Sequence, residues 1–192
     1  MAKDVYRILL AGEGGQGIQT IAHVLAIAAF NDNLNVTFMP NYGVEQRGGV
    51  SIAYIQIGKG VIGFPKFSTA DVIVNVRSRA IERIDEYVGP ETLYLYDSDL
   101  IRASELKHVS AEKLAVPATS VASKKLSGKV FNMILLGALI SEIGMPSKEA
   151  VEIALEEHLK AKYLQHPELR HLNKKAIELG QLMAKDAFKL KK

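Results

Sequence analysis

A chain of 192 residues with 48% hydrophobic and 23% charged residues can bury one core of ordinary size and is too apolar for an extended disordered region. Its formal charge of +3 comes in good part from a tail holding Lys185, Lys189, Lys191 and Lys192, which reads as a solvated end and shows none of the basic and aromatic patterns of a nucleic-acid module. Cysteine is absent, which excludes disulfides, a cysteine nucleophile and thiolate-held iron–sulfur clusters on this chain.

The first four residues run into a strand pattern without the apolar core or small-residue cleavage site of a signal peptide. The longest apolar stretches, 18–30 and 130–140, are interrupted by His23 and Asn132 and fall short of the roughly 20 residues that cross a bilayer. The expectation is a cytoplasmic protein that binds neither membrane nor nucleic acid.

In chain order, residues 6–11 pattern as a strand, 16–31 as a helix and 35–39 as a strand ending at Pro40, which together predict a βαβ unit. A glycine-rich turn at 41–49 leads into alternating residues over 50–57. There Gly58, Lys59 and Gly60 signal a hairpin into 61–63, antiparallel because so short a link cannot make a parallel crossover. A buried strand is predicted at 71–76, a helix at 78–87 stopped by Gly89 and Pro90, a strand at 92–96 closed by Asp97, Ser98 and Asp99, and a short strand at 114–116 before Pro117. Residues 118–127 read as a polar connection to a helix over 130–143. Gly144 to Pro146 stop that helix, Ser147 caps the next, and Pro167 opens a last helix to about Leu190.

This order predicts an α/β protein: a three-layer α/β/α Rossmann-like sandwich with a mostly parallel, partly mixed sheet and a helical C-terminal tail over one face. No linker or repeat divides it, so 1–192 is taken as a single domain, with an α/β core at 1–143 and C-terminal helices at 147–192.

Gly12, Gly14, Gly15 and Gly17 follow the first strand directly. Glycines so placed permit a tight turn into a helix whose N-terminal N–H groups and dipole favour an anion, and close packing alone would also explain them. A nicotinamide dinucleotide site needs an acid at the end of the second strand, where Phe38, Met39, Pro40 and Asn41 stand; Asp32 precedes that strand and lies on the wrong side of the sheet. A P-loop needs Lys-Ser/Thr after the last glycine, and Ile18-Gln19 is found instead. The second glycine stretch, Tyr42-Gly43-Val44-Glu45-Gln46-Arg47-Gly48-Gly49, follows the second strand and is expected to meet the first at the ligand edge of the sheet.

Together, Gly12-Glu13-Gly14-Gly15-Gln16-Gly17 and Tyr42-Gly43-x-Glu45-x-Arg47-Gly48-Gly49 resemble the γ subunit, or γ-type domain, of the 2-oxoacid:ferredoxin oxidoreductases, the family of the pyruvate, 2-oxoglutarate, 2-oxoisovalerate and indolepyruvate enzymes. Pro65-Lys66, Ala70-Asp71, Tyr96-Asp97-Ser98, and Asn132 ahead of Leu136-Gly137 add to the likeness. The resemblance implies one component of a complex that decarboxylates a 2-oxoacid on thiamine diphosphate with magnesium, passes electrons through iron–sulfur clusters to ferredoxin and forms acyl-coenzyme A. It implies partners of α, β and ferredoxin-like δ type that carry those cofactors, a chain inactive alone, and coenzyme A as candidate ligand. No Gly-Asp-Gly followed by paired asparagines, the thiamine diphosphate pattern, occurs in this chain.

The residues proposed to face cofactor are Gly12, Gly14, Gly15, Gln16, Gly17, Tyr42, Gly43, Glu45, Arg47, Gly48 and Gly49; no catalytic residue and no metal ligand is assigned. Glu45 and Arg47 fit equally an ion pair that pins the loop or an interface, and Arg47 alternatively suits a phosphate or carboxylate. Gln16 is expected to cap or touch a neighbouring loop, Glu13 to be solvated or interfacial, Tyr42 to anchor packing, and His23 to be a core or interface residue. Asp97 and Asp99 are explained by turn formation. Two rival functions stay open: an autonomous NAD(P)-binding dehydrogenase, and a non-catalytic interaction domain of the same fold.

Overall fold

The computed structural model describes residues 3–42 and 49–189. Six strands, β1 (Val5–Glu13), β2 (Asn35–Tyr42), β3 (Val50–Gly58), β4 (Val72–Asn75), β5 (Leu93–Asp97) and β6 (Glu112–Val116), form one sheet in the order β2-β3-β1-β4-β5-β6. β1, β4, β5 and β6 are parallel neighbours, while β3 runs antiparallel between β1 and β2. The mixed sheet agrees with the sequence reading, with two corrections. The predicted βαβ unit does not place its strands side by side, because β3 is inserted between them. Residues 61–63 form no strand, so the antiparallel partners of β3 are β1 and β2. Their registers bring both Val5 and Asn35 opposite Gly58. Pro40 lies inside β2, tolerated because an edge strand leaves an outward N–H without a ladder partner.

The helices are α1 (Ile18–Asn31), α2 (Ile81–Ile84), α3 (Ala118–Lys125), α4 (Phe131–Ile143), α5 (Lys148–Gln165) and α6 (Glu168–Lys189). One sheet face, with Ile8, Leu10, Ile55, Val74 and Leu95, packs under α1, α3, α4, α5 and α6. The other, with Leu9, Tyr54, Ile73 and Tyr94, is covered by α2, its flanking turns and Phe67. The unbroken apolar run Ile8 to Ala11 is thus buried on both sides, as a central strand of a covered sheet requires. The predicted helix at 78–87 is broken into 3-10 turns at Ser78–Ala80 and Asp85–Tyr87 around the single turn of α2.

Residues 118–125 are helical where a polar connection was expected. α3 is polar and short, and its start is supported from the strand end: Asp97 accepts from Thr119 N (3.1 Å) and Thr119 Oγ1 (2.6 Å), and Asp99 from Ser120 N (2.7 Å). Carboxylates at a helix N-terminus satisfy its free N–H groups. Burial pushes the Asp97 carboxyl above the usual range, against the lowering effect of the Thr119 hydrogen bonds. Asp32, dismissed as a ribose ligand, clamps the start of α5: the Ser147 hydroxyl donates to Asp32 Oδ1 at 2.7 Å and accepts from Ala150 N at 3.2 Å. α4 is apolar on all sides and lies between sheet and α6. There Gly137 and Gly180 let the two backbones approach, since a Cβ on either would overlap a carbonyl oxygen of the other helix.

Candidate functional site

The turn from β1 into α1 is closed by its own residues. Gln16 N donates to Glu13 O (3.2 Å) while Glu13 N donates to the Gln16 side chain (2.7 Å), so Gln16 caps the turn as expected. Gly15 and Gly17 have φ of 91° and 77°, the left-handed region that glycine enters without a Cβ clash. A Cβ on Gly12 would sit 2.6 Å from Val76 and 2.8 Å from Ile18, which ties that glycine to strand–helix packing. Gly14 meets no such demand, with nothing within 4 Å of the position a Cβ would take.

The two glycine stretches meet, as the sequence predicts: Gly14 N donates to Gly49 O at 3.3 Å. Gly43, Glu45, Arg47 and Gly48, and the side chain of Tyr42, lie outside the described residues. Glu13 is a correction. Its carboxylate is mostly buried and paired with Arg77 (2.8 Å) and, more loosely, Arg79 (3.8 Å). Arg77 is positioned by Asn75, which accepts from the Arg77 N–H at 2.9 Å and donates to the Tyr94 hydroxyl at 2.8 Å. Both arginines follow the C-terminal end of a parallel strand, the one signal that could have singled them out.

On the helical side of the turn lies a cavity of about 530 Å³. Gly15 to Gly17 form one wall, Lys129 to Asn132 at the start of α4 a second, and the α5–α6 corner with Lys162 and His166 a third. Neither α1 nor α4 has a side-chain cap; Gly17 and Val130 stand at their N-caps. The corner is fixed by Asn173, which donates to the Tyr163 hydroxyl at 2.8 Å, and by Arg170, which grips Glu156 through two nitrogens. Sequence reasoning noted Asn132 as a polar interruption of an apolar stretch and as part of a resemblance, and missed Lys129 and Lys162, because helices distant in sequence bring them to the turn.

His23, expected in the core or an interface, is half-buried, with its Nδ1 2.9 Å from the Gln19 carbonyl oxygen. Its ring stacks on His158 (centroids 5.0 Å, planes 13° apart) and meets Phe38 edge-on at 4.7 Å. Burial, then His23 and Lys162, hold the His158 imidazolium below its ordinary pKa. Among the described residues no group of three or more His, Asp or Glu could hold a metal ion, and no helix is long and apolar enough to cross a membrane.

The topology bears on dinucleotide binding. A ribose-reading acid works from the strand next to the glycine turn, whereas β3 separates β2 from β1 here, which puts the end of β2 roughly 10 Å away instead of about 4.8 Å.

Residues 7–182 match the pyruvate ferredoxin/flavodoxin oxidoreductase family. The chain belongs to this family. It is 31% identical over 150 residues to the 2-oxoglutarate synthase subunit KorC of Methanocaldococcus jannaschii, covering 77% of this chain and 80% of that one. It is 27% identical over 180 residues to the ketoisovalerate oxidoreductase subunit VorA of Methanothermobacter thermautotrophicus, covering 94% of this chain but only 36% of that longer one. Among solved structures, the keto/oxoacid ferredoxin oxidoreductase γ subunit of Geobacter sulfurreducens superposes with a TM-score of 0.76 at 26% identity, over 93% of this chain and 98% of that. Family membership and a γ-subunit fold therefore agree with the resemblance drawn from the two glycine stretches.

Proposed function

We propose that this chain is the γ component of a complex that converts a 2-oxoacid and coenzyme A into acyl-coenzyme A and carbon dioxide, with the electrons going to ferredoxin. The observation that carries this reading is the family match through 7–182, which contains both glycine stretches. In this reading the 192 residues act as one γ-type unit in the cytoplasm. Thiamine diphosphate, magnesium and the iron–sulfur clusters are held by α, β and ferredoxin-like δ chains. The absence of cysteine supports that division, since a cluster needs thiolates.

The γ chain contributes assembly surface and, at its two glycine stretches, contacts to coenzyme A. Gly12, Gly14, Gly15, Gln16, Gly17 and Gly49 form the described part of that edge, and Tyr42, Gly43, Glu45, Arg47 and Gly48 are assigned to the same contacts from the sequence alone. A helix N-terminus behind a glycine turn suits an anionic group, and Arg47 suits a phosphate. Anaerobic purification of the tagged chain from its own cells tests the reading. Co-purifying chains with a thiamine diphosphate motif and cysteine-rich cluster motifs are expected; a chain that emerges alone or with unrelated proteins overturns it. In the assembled complex, Arg47→Ala is expected to raise KM for coenzyme A, and loss of assembly with an unchanged KM would assign Arg47 to an interface instead.

A further inference from the structure

We infer that residues 61–69 form a docking surface for a partner chain of the complex, and that the segment it takes is extended and carries carboxylates beside apolar side chains. The inference rests on the proposed function and names the surface and the chemistry of the partner. The loop begins at the opposite end of β1 from the glycine turn, because Gly58 pairs with Val5, the first residue of that strand. The length of β1 sets the two places roughly 25–30 Å apart.

The sequence predicts a strand at 61–63, yet both edges of β3 are taken by β1 and β2. Among the described residues, no backbone-to-backbone hydrogen bond is made from Val61 to Thr69. The loop is nonetheless held in place. At its start, Asp4 O accepts from Lys59 N (2.9 Å) and Gly60 N (3.2 Å), and the Asn35 side chain donates to Gly60 O (3.1 Å). In its middle, the side chain of Gln56, 6% exposed, donates to Phe64 O at 2.5 Å, and just past its end Ala70 N donates to Tyr87 O at 2.9 Å. A pinned backbone whose N–H and C=O groups no other segment takes is suited to pairing with an added strand, at little ordering cost.

The side chains define what such a strand carries. Val61 is 95% exposed and Phe64 70%, so the pinned loop holds two large apolar side chains in water, as anchors for apolar groups. Beside them lies a cavity of about 540 Å³ lined by Arg7, Gln56 and Lys66, with no Asp or Glu among its lining residues. Neither Arg7 nor Lys66 has an ion pair among the described residues, and the neighbouring Asp71 is engaged by Lys3. Lys66 is placed over the Tyr54 ring, 5.4 Å from its centre. Two cations left without acids beside two exposed apolar side chains complement carboxylates interleaved with apolar residues, and such charge pairing fixes register and orientation.

Hydrogen–deuterium exchange of the full chain alone and in the purified complex tests the surface. Carbodiimide treatment of the complex, which joins an amine to a carboxylate touching it, tests the chemistry. The amides of 61–64 and 66–69 are expected to exchange at least tenfold more slowly in the complex, and Lys66 to be joined to an Asp or Glu of a co-purifying chain. The Val61→Ser, Phe64→Ser double variant, whose replaced side chains already stand in water, is expected to melt as wild type does when alone. Co-expressed with wild type, it should be recovered in the complex at least tenfold less; equal recovery overturns the inference. A complex that forms while 61–69 exchange as fast as in the free chain overturns this inference and leaves the proposed function standing. A chain that purifies without partners overturns both. Protection without a link from Lys66 to an acid overturns the carboxylate chemistry. Protection that appears in the free chain as its concentration rises overturns the partner chain and assigns the loop to a second copy.

Discussion

Alanine at Gly17 should be far more damaging than a single methyl suggests, and Asn132 should account for much of the damage. Two penalties coincide there. The backbone has φ 77°, where an L-residue pays about 1–2 kcal/mol. A Cβ would also overlap Asn132 Nδ2 and come within 3.2 Å of Asn132 Cγ; overpacking of this kind costs about 1–3 kcal/mol. The sum is about 2–5 kcal/mol, against a total stability of about 5–15 kcal/mol for ordinary domains. Asn132→Ala removes the overlap but leaves φ unchanged, so in that background Gly17→Ala should cost only the backbone part. Urea unfolding of wild type, both single variants and the double variant measures the coupling, expected at about 1–3 kcal/mol. An equal cost of Gly17→Ala in both backgrounds would show that Asn132 does not occupy the notch and would refute the steric account.

Gly137→Ala and Gly180→Ala, which drive a methyl into the opposing backbone of α6 and α4, should each destabilise by about 1–3 kcal/mol despite the roughly 1 kcal/mol that alanine gains over glycine in a helix. Their double variant should lose less than the sum, because helices once separated admit the second methyl; higher stability in urea would contradict the close approach. Gly14→Ala, with open space at the position and no left-handed φ, should change stability by no more than about 0.5 kcal/mol yet weaken complex assembly or coenzyme A binding. Normal assembly and turnover would remove Gly14 from both roles. For His158, burial, His23 and Lys162 make the folded chain the poorer proton acceptor. Its contribution to stability is therefore complete above the ordinary histidine pKa of about 6.5 and is lost as pH falls through the lower folded value. The melting temperature of His158→Gln should accordingly fall less than that of wild type between about pH 7 and pH 5, and parallel pH profiles would exclude the stacked pair as the cause.

The neighbourhood of the glycine turn is organised by groups whose roles exchange between levels. Asp97 and Asp99, which as a pair of carboxylates invite a catalytic reading, are spent on the N-terminus of α3. At the far end of α1, away from the turn, Asp32 holds Ser147 at the start of α5. Glu13 holds Arg77. Acids at this level are structural, while the cations Lys129 and Lys162 keep no acidic partner among the described residues. A positive, carboxylate-free cavity therefore survives beside a turn otherwise tied down by its own hydrogen bonds.

The amino-acid sequence by itself determined most elements and their type, because apolar periodicity and end signals are local: the run Ile8 to Ala11, the cap at Ser147, the stop at Gly144 with φ 70°. It also determined the family, since two glycine stretches with defined spacing carry that likeness without knowledge of any contact. What it did not determine was anything that depends on which strand lies beside which. Alternation marked β3 as a strand, but only burial on both faces decides that it pairs with β1 and β2 and not with 61–63. α3 carries too little apolar surface to announce itself; its N-terminus is satisfied by carboxylates from a strand end more than twenty residues earlier. The cavity belongs to the same class. Lys129 and Lys162 are unremarkable in sequence, and tertiary packing of α4, α5 and α6 against one sheet face is what brings them, with Asn132, to the glycine turn.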